Sequence, residues 1–463
     1  MIAALAIGLL VFFFVLRPGA PHPSARPNLL LVTIDTLRAD HLGFAGYPRD
    51  TSPSLDRLAH EGVWLPRYYS QSATTGAAHA SLFTSLPPSE TGVTANSQPF
   101  PAGMASLMSV LRGDGYVTAA FVSSVVLGRK SKLQDQFDHF DDDLTTIEPN
   151  RNTRFERPAD ETVRAALAFL ADVPTNRPFF LWIHLIDPHG PYDAPVDRDR
   201  YVGDAYYEHS AVDLPIGDSD WAPGTIPRYQ VLDGRSDARF YVARYDAEVR
   251  YADAALGKLF DALQKQRLDD RTLIAVTADH GETLDEAGHK HYFTHGAITY
   301  DEVTRVPLVV REPAGSSRLA AVDRRRLYSS LDLAPTLLDL LGVASPEGFR
   351  GRSMLDQTRS PDAPVSSLGS YGTERLEKET GTQFSVRRGS MHYIVNTKDG
   401  TEELYDLALD PTETKNLIAA PPVDVATFRA DVTEAVGARR AVAAGRAVGD
   451  DHAAALRALG YVE

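Results

Sequence analysis

Three unbroken apolar runs that close on acidic or histidine residues constrain the fold of this chain most strongly. The runs cover residues 28–34, 179–186 and 272–278. The polar residues that close them are Asp35, Asp187, His189, Asp279 and His280. Continuous apolar runs of this length are typical of parallel strands buried on both faces of a sheet. Because the carboxyl ends of parallel strands meet at one edge, where ligands bind, we expect these acids and imidazoles to lie close together.

Helical patterns alternate with these runs as far as about residue 345. They cover about residues 54–61, 104–111, 163–170, 240–263 and 331–341. The alternation predicts an α/β domain over residues 28–345, with a mostly parallel, doubly wound sheet flanked by helices. Short alternating runs and a final alanine-rich segment predict a subdomain over residues 346–463, with a small antiparallel sheet and a terminal helix. Residues 127–158 are polar and predicted to form loop, and residues 193–237 to form a lid or substrate loop.

The N-terminus begins with a separate apolar segment. Ile2–Leu16 is apolar throughout, Arg17 follows it, and a linker rich in proline, alanine and serine extends to residue 27. A membrane-spanning helix needs about 20 residues, and the apolar region of a signal peptide about 7–15. We therefore predict an export signal or a short membrane anchor over residues 1–27. Either one places the folded protein on the periplasmic or extracellular side of a membrane.

Charge and cysteine content exclude several classes of function. The 463-residue chain has a formal net charge of −15 and no dense run of lysine or arginine. That composition does not fit a nucleic-acid binder. A small anionic substrate would need local positive charge, which a metal ion supplies most simply. The chain has no cysteine, which excludes disulfides, zinc–thiolate sites and a thiol nucleophile.

The segment Ser72–Ser85 reads as a loop rich in serine and threonine that enters a helix. The start of a helix offers unpaired backbone N–H groups to an anion. Thr74 and Thr75 lie just before this start, and His79 lies one turn later. Our hypothesis is that Thr75 is a nucleophile. The alternative is that the two threonines only cap the helix.

The acids and histidines of the strand ends suit a divalent cation. Carboxylate oxygens with imidazole nitrogen fit Mn²⁺ or Zn²⁺ and tolerate Mg²⁺ or Ca²⁺. A metal beside a hydroxyl lowers the pKa of the hydroxyl and screens an incoming anionic ester. Imidazole and cationic groups would stabilise the transition state and protonate the leaving group. The candidates for these roles are His79, His189, His295 and Arg38.

Seven segments of the chain resemble conserved blocks of the sulfatase family, within the alkaline phosphatase superfamily. In chain order they are NLLLVTIDTLRADHLGFAGY, AHASLFTSLPPSETGV, FFLWIHLIDPHGPY, VTADHGETLDEAGH, FTHGAITYDEVTRVPLVVREP, LDLAPTLLDLLGV and ELYDLALDPTETKNL. The resemblance extends over nearly all of the chain from Asn28. It implies the fold of that family, with one divalent metal ion held by Asp35, Asp279 and His280.

The same resemblance implies roles for the other candidates. His79 takes the basic position of the core motif, which puts Thr75, and not Thr74, at the nucleophile position four residues earlier. His189 matches a histidine that contacts the substrate oxyanion or the leaving group. His295 matches the basic position ahead of the TYDEVTRVP-like block.

The chain departs from the family pattern at the nucleophile and at the metal. Sulfatases that use formylglycine carry C/S-x-P-x-R, whereas this chain has Thr75-Gly76-Ala77-Ala78-His79. Threonine cannot give the same aldehyde, so the formylglycine mechanism is not expected. Thr36 replaces an acidic ligand and His280 replaces the usual asparagine, which moves the site away from Ca²⁺. These changes resemble phosphodiesterases and phosphoglycerol or phosphoethanolamine transferases of the superfamily, in which a metal-bound threonine is the nucleophile.

Three functions follow from these residues. The leading hypothesis is a metal-dependent hydrolase of sulfate or phosphate-type esters with Thr75 as covalent nucleophile. The second is a non-catalytic, sulfatase-like binding protein, since the proline and arginine of the core motif are lost. The third is a membrane-bound transferase of lipid head groups, since the N-terminus is apolar.

Overall fold

The structure is a computed structural model that describes most of residues 26–445. Inside that range it leaves out residues 175, 205, 207–212, 221–222, 287, 361–362 and 371–379. Residues 1–25, which make up most of the predicted export signal or membrane anchor, and the last 18 residues lie outside the described residues. Among the described residues, no helix combines the length and the apolar character needed to cross a bilayer.

A seven-stranded sheet forms the centre of the large domain. Across the sheet the strands follow the order Val63–Trp64, Leu308–Arg311, Thr272–Ala278, Asn28–Ile34, Phe179–Leu185, Val117–Phe121 and His139–Asp141. Neighbours are parallel from Thr272–Ala278 to the His139–Asp141 edge, and Leu308–Arg311 runs antiparallel to the strands on both sides of it. The predicted mostly parallel α/β fold is thereby confirmed.

The three predicted apolar strands are the central neighbours of this sheet. Each residue of Asn28–Ile34, Phe179–Leu185 and Thr272–Ala278 is buried. Thr33 pairs with His184 on one side and with Thr277 on the other, so the three strands end level with one another. We call them the Asp35 strand, the His184 strand and the Asp279 strand, after residues in or directly after each. Their common end is the edge that carries the candidate site.

Helices flank this sheet, except for the last one, Val425–Gly445, which packs against the small C-terminal sheet. Their bounds are Pro53–Glu61, Thr75–Thr84, Pro88–Thr91, Leu107–Gly113, Ala159–Asp172, Ala238–Lys265, Asp301–Thr304, Leu333–Leu340 and Val425–Gly445. The helix predicted from residue 104 begins at Leu107 because Ser106 caps it, with its side chain accepting from the backbone N–H of Ser109. Thr75–Thr84, which we call the Thr75 helix, begins at the candidate nucleophile.

The C-terminal sheet has four antiparallel strands. In order they are Val365–Gly369, Gln383–Arg388, Met391–Asn396 and Glu402–Asp406. Its first strand reaches the segment that precedes the Thr75 helix. The Leu368 backbone donates to the carbonyl of Gln71 at 2.9 Å and accepts from the N–H of Ala73 at 3.0 Å. The small sheet therefore supports the segment that leads to Thr75.

The region of residues 127–158 differs from its prediction as loop. It contains the edge strand His139–Asp141 and an antiparallel hairpin of Thr146–Glu148 with Arg151–Glu156. The hairpin has no apolar face that periodicity could reveal, and its Ile147 and Phe155 are exposed. The described parts of residues 193–237 are irregular apart from short turns such as Arg228–Gln230, in line with the predicted loop.

Candidate active site

Asp35, Asp279 and His280 meet at the shared end of the Asp35 and Asp279 strands. The Nε2 atom of His280 lies 3.6 Å from Oδ1 of Asp35 and 3.5 Å from Oδ2 of Asp279. All three side chains are buried. The level ends of the two strands place these residues together, as the sequence pattern predicted.

The orientation of the His280 ring is set by its own loop. Its Nδ1 atom lies 3.0 Å from the carbonyl of Gly281, and its backbone N–H donates to Oδ1 of Asp279 at 2.8 Å. With Nδ1 engaged, Nε2 faces the carboxylates. Gly281 permits this turn, because a Cβ atom there would lie 2.1 Å from the carbonyl oxygen of Glu302.

Thr75 joins this group from the start of the Thr75 helix. Its Oγ1 atom lies 3.4 Å from Nε2 of His280. The hydroxyl of Thr74 instead pairs with Ser72 at 3.1 Å. Because Thr75 is the first residue of the helix, it also stands at the positive end of the helix dipole. The structure therefore brings Thr75, and not Thr74, to the strand-end cluster.

The buried carboxylates of Asp35 and Asp279 have too few hydrogen-bond partners. Among the described residues, Oδ1 of Asp35 and Oδ2 of Asp279 are buried without a hydrogen-bond partner. Burial raises the pKa of Asp35 to about 7, against the opposing effect of His280. Ligand atoms of Asp35, Asp279 and His280 all lie within 4.8 Å of one another. A divalent cation fits this donor set, since it would satisfy both orphaned oxygens and has the oxygen and nitrogen ligands it prefers.

Thr36, next to Asp35, has strained backbone and an unpaired hydroxyl. Its φ of 56° is in the left-handed region, which a β-branched residue rarely adopts. Its Oγ1 atom is buried without a partner among the described residues, while its carbonyl accepts from the Tyr245 hydroxyl at 2.8 Å. Strain of this kind costs on the order of 1–3 kcal/mol and is concentrated at functional sites.

His184 is a buried residue of this site that the sequence did not single out. Its Nε2 atom lies 3.5 Å from Oδ2 of Asp35, and within the described part of the chain neither ring nitrogen has a hydrogen-bond partner. Burial lowers the pKa of His184 to about 4, with Asp279 opposing that shift. A histidine inside an otherwise apolar strand was the available signal, but only the register with Thr33 shows which way it faces.

His79 lies underneath Thr75, inside the protein. The ring is fully buried, and its Nδ1 atom lies 2.8 Å from the carbonyl of Thr75. Its Nε2 atom lies 2.9 Å from the hydroxyl of Thr33. Burial lowers the pKa of His79 to about 4, although Asp279 favours the charged form. The structure thus gives this predicted catalytic residue a contact with the backbone of the candidate nucleophile.

His189 and His295 lie together beside His280. The ring centroids of His189 and His295 are 5.2 Å apart, and those of His280 and His295 are 4.5 Å apart. Burial lowers the pKa of both residues, that of His295 to about 4. Arg151 and Arg154, on the hairpin that sequence patterns did not reveal, lower both pKa values further. An anionic ester bound here would favour the protonated imidazoles.

Arg38 is held by two carboxylates. Its guanidinium contacts Asp40 at 2.8 Å and also pairs with Glu286. The Nη1 atom donates to the carbonyl of Glu282 at 3.2 Å. Because two acids already balance its charge, Arg38 has less positive charge to offer an anion than the sequence suggested.

The family model described as Sulfatase matches residues 27–343, more than half of the chain. This chain belongs to the sulfatase family. A second family model, described as the C-terminal part of N-sulphoglucosamine sulphohydrolase, matches residues 288–436 of this sulfatase. The predicted family resemblance is confirmed, and the protein is a sulfatase-family hydrolase.

Named relatives match this sulfatase over most of their length. Choline-sulfatase from Rhizobium meliloti is 28% identical over 463 residues, covering 88% of this chain and 86% of that protein. Delta 4,5-hexuronate-2-O-sulfatase from Bacteroides thetaiotaomicron is 25% identical, covering 87% of each. The phosphonate monoester hydrolase of Agrobacterium radiobacter superposes with a TM-score of 0.68 at 20% identity, covering 90% of this chain and 96% of that chain. The last match shows a shared fold.

Proposed function

We propose that this sulfatase hydrolyses sulfate or phosphate-type esters through a covalent intermediate on Thr75. The observation that carries the proposal is the position of Thr75 Oγ1, 3.4 Å from His280 Nε2 at the start of a helix. The buried, unpaired carboxylate oxygens of Asp35 and Asp279 flank the same ring. A non-catalytic binding protein would have no use for such costly groups in one cluster.

Asp35, Asp279 and His280 would hold one divalent cation, of manganese, zinc, magnesium or calcium. Bound there, it would lower the pKa of the Thr75 hydroxyl and screen the charge of the ester. The Thr75 hydroxyl gives its proton to water, and its Oγ1 atom forms the bond to sulfur or phosphorus as the bond to the ester oxygen breaks. That oxygen leaves with a proton from His189 or His295. Water cleaves the threonine ester, which releases sulfate, a phosphate monoester or a phosphonate, according to the substrate, and restores the hydroxyl.

The names of similar proteins support an anionic ester as substrate. Choline-sulfatase and hexuronate-2-O-sulfatase are relatives in sequence, and phosphonate monoester hydrolase shares the fold. Threonine at the nucleophile position and histidine at position 280 favour phosphodiesters and phosphonate esters over sulfate esters as substrates. We expect the protein to accept singly charged esters of both kinds, at different rates.

The apolar N-terminal segment supports a cellular location for the protein and a second candidate function, the transfer of lipid head groups. Residues 2–16 are apolar without interruption, as an export signal or anchor would be. We propose that the protein is exported or anchored, with its catalytic domain on the periplasmic or extracellular side. An anchored enzyme could transfer phosphoglycerol or phosphoethanolamine from lipid. Release or transfer of head groups from phospholipid vesicles would favour this candidate over hydrolysis of soluble esters.

Metal analysis and an ester panel test the main proposal. We expect about one equivalent of divalent metal per chain and turnover of an aryl sulfate, an aryl phosphonate monoester or an aryl phosphodiester. Thr75→Ala should retain the metal and lose turnover, whereas Thr74→Ala, the matched control, should retain both. Turnover by Thr75→Ala would refute the covalent mechanism, and protein that binds no metal and cleaves no ester would favour the binding protein.

A further inference from the structure

A fully buried carboxylate outside the candidate metal ligands engages one of the histidines of the site. Oε1 of Glu282 lies 3.1 Å from Nδ1 of His295. Oε2 of Glu282 accepts a hydrogen bond from the hydroxyl of Tyr192 at 3.3 Å. Both oxygens of Glu282 are therefore engaged by side chains. The contacts form a continuous chain from Tyr192 through Glu282 to His295.

The backbone holds Glu282 and His295 next to each other. The residues that adjoin them, Thr283 and Thr294, are joined by three hydrogen bonds. The Thr283 N–H donates to the Thr294 carbonyl at 3.0 Å, and the Thr283 hydroxyl donates to the same carbonyl at 2.6 Å. The Thr294 N–H donates to the Thr283 hydroxyl at 3.1 Å. The loop between them is thus closed at its base, which fixes the distance between the carboxylate and the ring.

The His295 ring faces the site with its other edge. It packs against the rings of His280 and His189, and its side chain is 14% exposed while that of Glu282 is fully buried. Since Nδ1 is engaged by Glu282, Nε2 is the nitrogen that can meet a substrate oxygen. A ring held at one nitrogen cannot turn freely about its Cβ–Cγ bond.

We propose that Glu282 is a positioning residue for the ester cleavage proposed above. It holds His295 so that Nε2 faces the leaving oxygen, and Tyr192 holds Glu282. As the bond between sulfur or phosphorus and the ester oxygen breaks, the proton on Nε2 passes to that oxygen. The water that later cleaves the threonine ester returns a proton to the ring. This inference rests on the proposed function, and it adds a residue that touches no substrate.

The dependence of kcat/KM on the leaving group of the ester tests whether Glu282 positions His295. An ester of 4-nitrophenol needs little help from an acid, whereas an ester of phenol needs much more. We expect Glu282→Ala and His295→Ala each to lower kcat/KM about 100-fold for the phenyl ester and less than about tenfold for the 4-nitrophenyl ester. Glu282→Gln can still bond to the ring and should recover much of the loss. The double variant should be no slower than His295→Ala, because Glu282 acts only through that ring.

Equal losses on both esters, or additive losses in the double variant, would overturn the proposal. Metal content is measured for each variant, and a loss of metal in Glu282→Ala would assign the residue to the metal site instead. Tyr192→Phe, which retains the ring, should give a smaller loss with the same preference between esters.

Crystal structures of the wild type, Glu282→Gln and Glu282→Ala need no turnover. We expect Nδ1 of His295 to contact residue 282 in the first two and the ring to turn in the third. An unchanged ring in Glu282→Ala would refute the inference even if no ester is cleaved. If the ring turns in Glu282→Ala and the wild type cleaves no ester, the positioning of His295 by Glu282 is supported and the proposed function is refuted.

Discussion

The hydroxyl of Thr33 and Nε2 of His79 lie 2.9 Å apart, inside the protein and directly under the Thr75 helix. Trp182 Nε1 donates to the same hydroxyl at 3.0 Å, so the hydroxyl hydrogen is free to point at His79. The opposite nitrogen, Nδ1, then donates to the carbonyl of Thr75. Both nitrogens of a neutral ring are satisfied in this way. His79 therefore ties the first turn of the helix to the Asp35 strand through hydrogen bonds.

Removing either end of this connection should destabilise the protein. His79→Ala loses two buried hydrogen bonds and leaves a cavity, and we expect the free energy of unfolding to fall by about 2–4 kcal/mol. Thr33→Val leaves Trp182 Nε1 and His79 Nε2 unpaired, and we expect it to lower the free energy of unfolding by about 1–3 kcal/mol. Denaturant unfolding measures both. A stable His79→Ala variant would contradict the role that we assign to the ring.

Metal-free protein should lose stability as the pH rises from about 4 to about 7. Burial raises the pKa of Asp35 to about 7 in the fold, against an unfolded value near 4. A carboxyl with a raised pKa in the fold contributes stability below its unfolded pKa and loses that contribution as the pH rises through the folded value. A bound cation favours the carboxylate and should remove this trend.

Thermal unfolding at several pH values, with a chelator and with added metal, measures the effect. Asp35→Asn cannot titrate at this position, so in chelator its stability should depend less on pH than that of the wild type. Parallel pH profiles for the two proteins would show that Asp35 is not responsible.

Thr36→Asp should shift metal preference toward Ca²⁺ and Mg²⁺. The substitution adds a carboxylate next to Asp35, and hard cations require more oxygen ligands. Aspartate also tolerates the left-handed backbone at φ 56° better than threonine does. We expect the affinity for Ca²⁺ to rise by about tenfold or more relative to Zn²⁺, measured by competition calorimetry. Thr36→Asn is the matched control, and an equal shift in that variant would assign the effect to backbone strain.

The terminal helix Val425–Gly445 should lose an ion pair with the C-terminal sheet at low pH. Arg429 makes two hydrogen bonds to the carboxylate of Glu402, at 2.7 and 2.6 Å, and they lower the pKa of Glu402 to about 2. A lowered pKa gives stability that is present above the unfolded value, near 4.5, and is lost as the pH falls through about 2. The effect should be small because the pair is exposed.

Hydrogen exchange in the terminal helix, compared between pH 5 and pH 2.5, measures this attachment. Glu402→Gln should show the faster exchange already at pH 5. Equal exchange in the variant and the wild type at pH 5 would show that the apolar contacts of Phe428 and Val432 with the C-terminal sheet, together with the ion pair of Asp431 with Arg388, hold the helix without Glu402.

The central strands were predictable because local composition decides them. Thr272–Ala278 has the predicted bounds, since a run buried on both faces must be apolar throughout. The polar residues after such runs pointed to Asp35, Asp279 and His280, which the structure brings together. The hairpin that carries Arg151 could not be found in this way. Its charged residues depend on distant partners, as when Arg151 stacks 3.8 Å from the ring centroid of Tyr229.

The histidines show the same limit within the site. His280 follows a strand and was identified from the sequence, whereas His184 lies inside the apolar run 179–186 and was not singled out. Its proximity to Asp35 follows from the pairing of Thr33 with His184, which joins residues 151 positions apart. The pairing of Glu282 with His295 depends on how one loop closes. Residue type predicts which groups can do chemistry, but register and loop closure decide which of them meet.

The pairing of Leu368 with Gln71 and Ala73 bears on how the protein is made. A ribosome releases the chain from its N-terminus, so Thr75 emerges almost three hundred residues before its supporting strand, Val365–Gly369. The segment that leads to Thr75 cannot take its final form during that interval. Completion of the candidate site is therefore delayed until the last quarter of the chain is synthesised, and a truncated nascent protein would carry the candidate nucleophile without its full support.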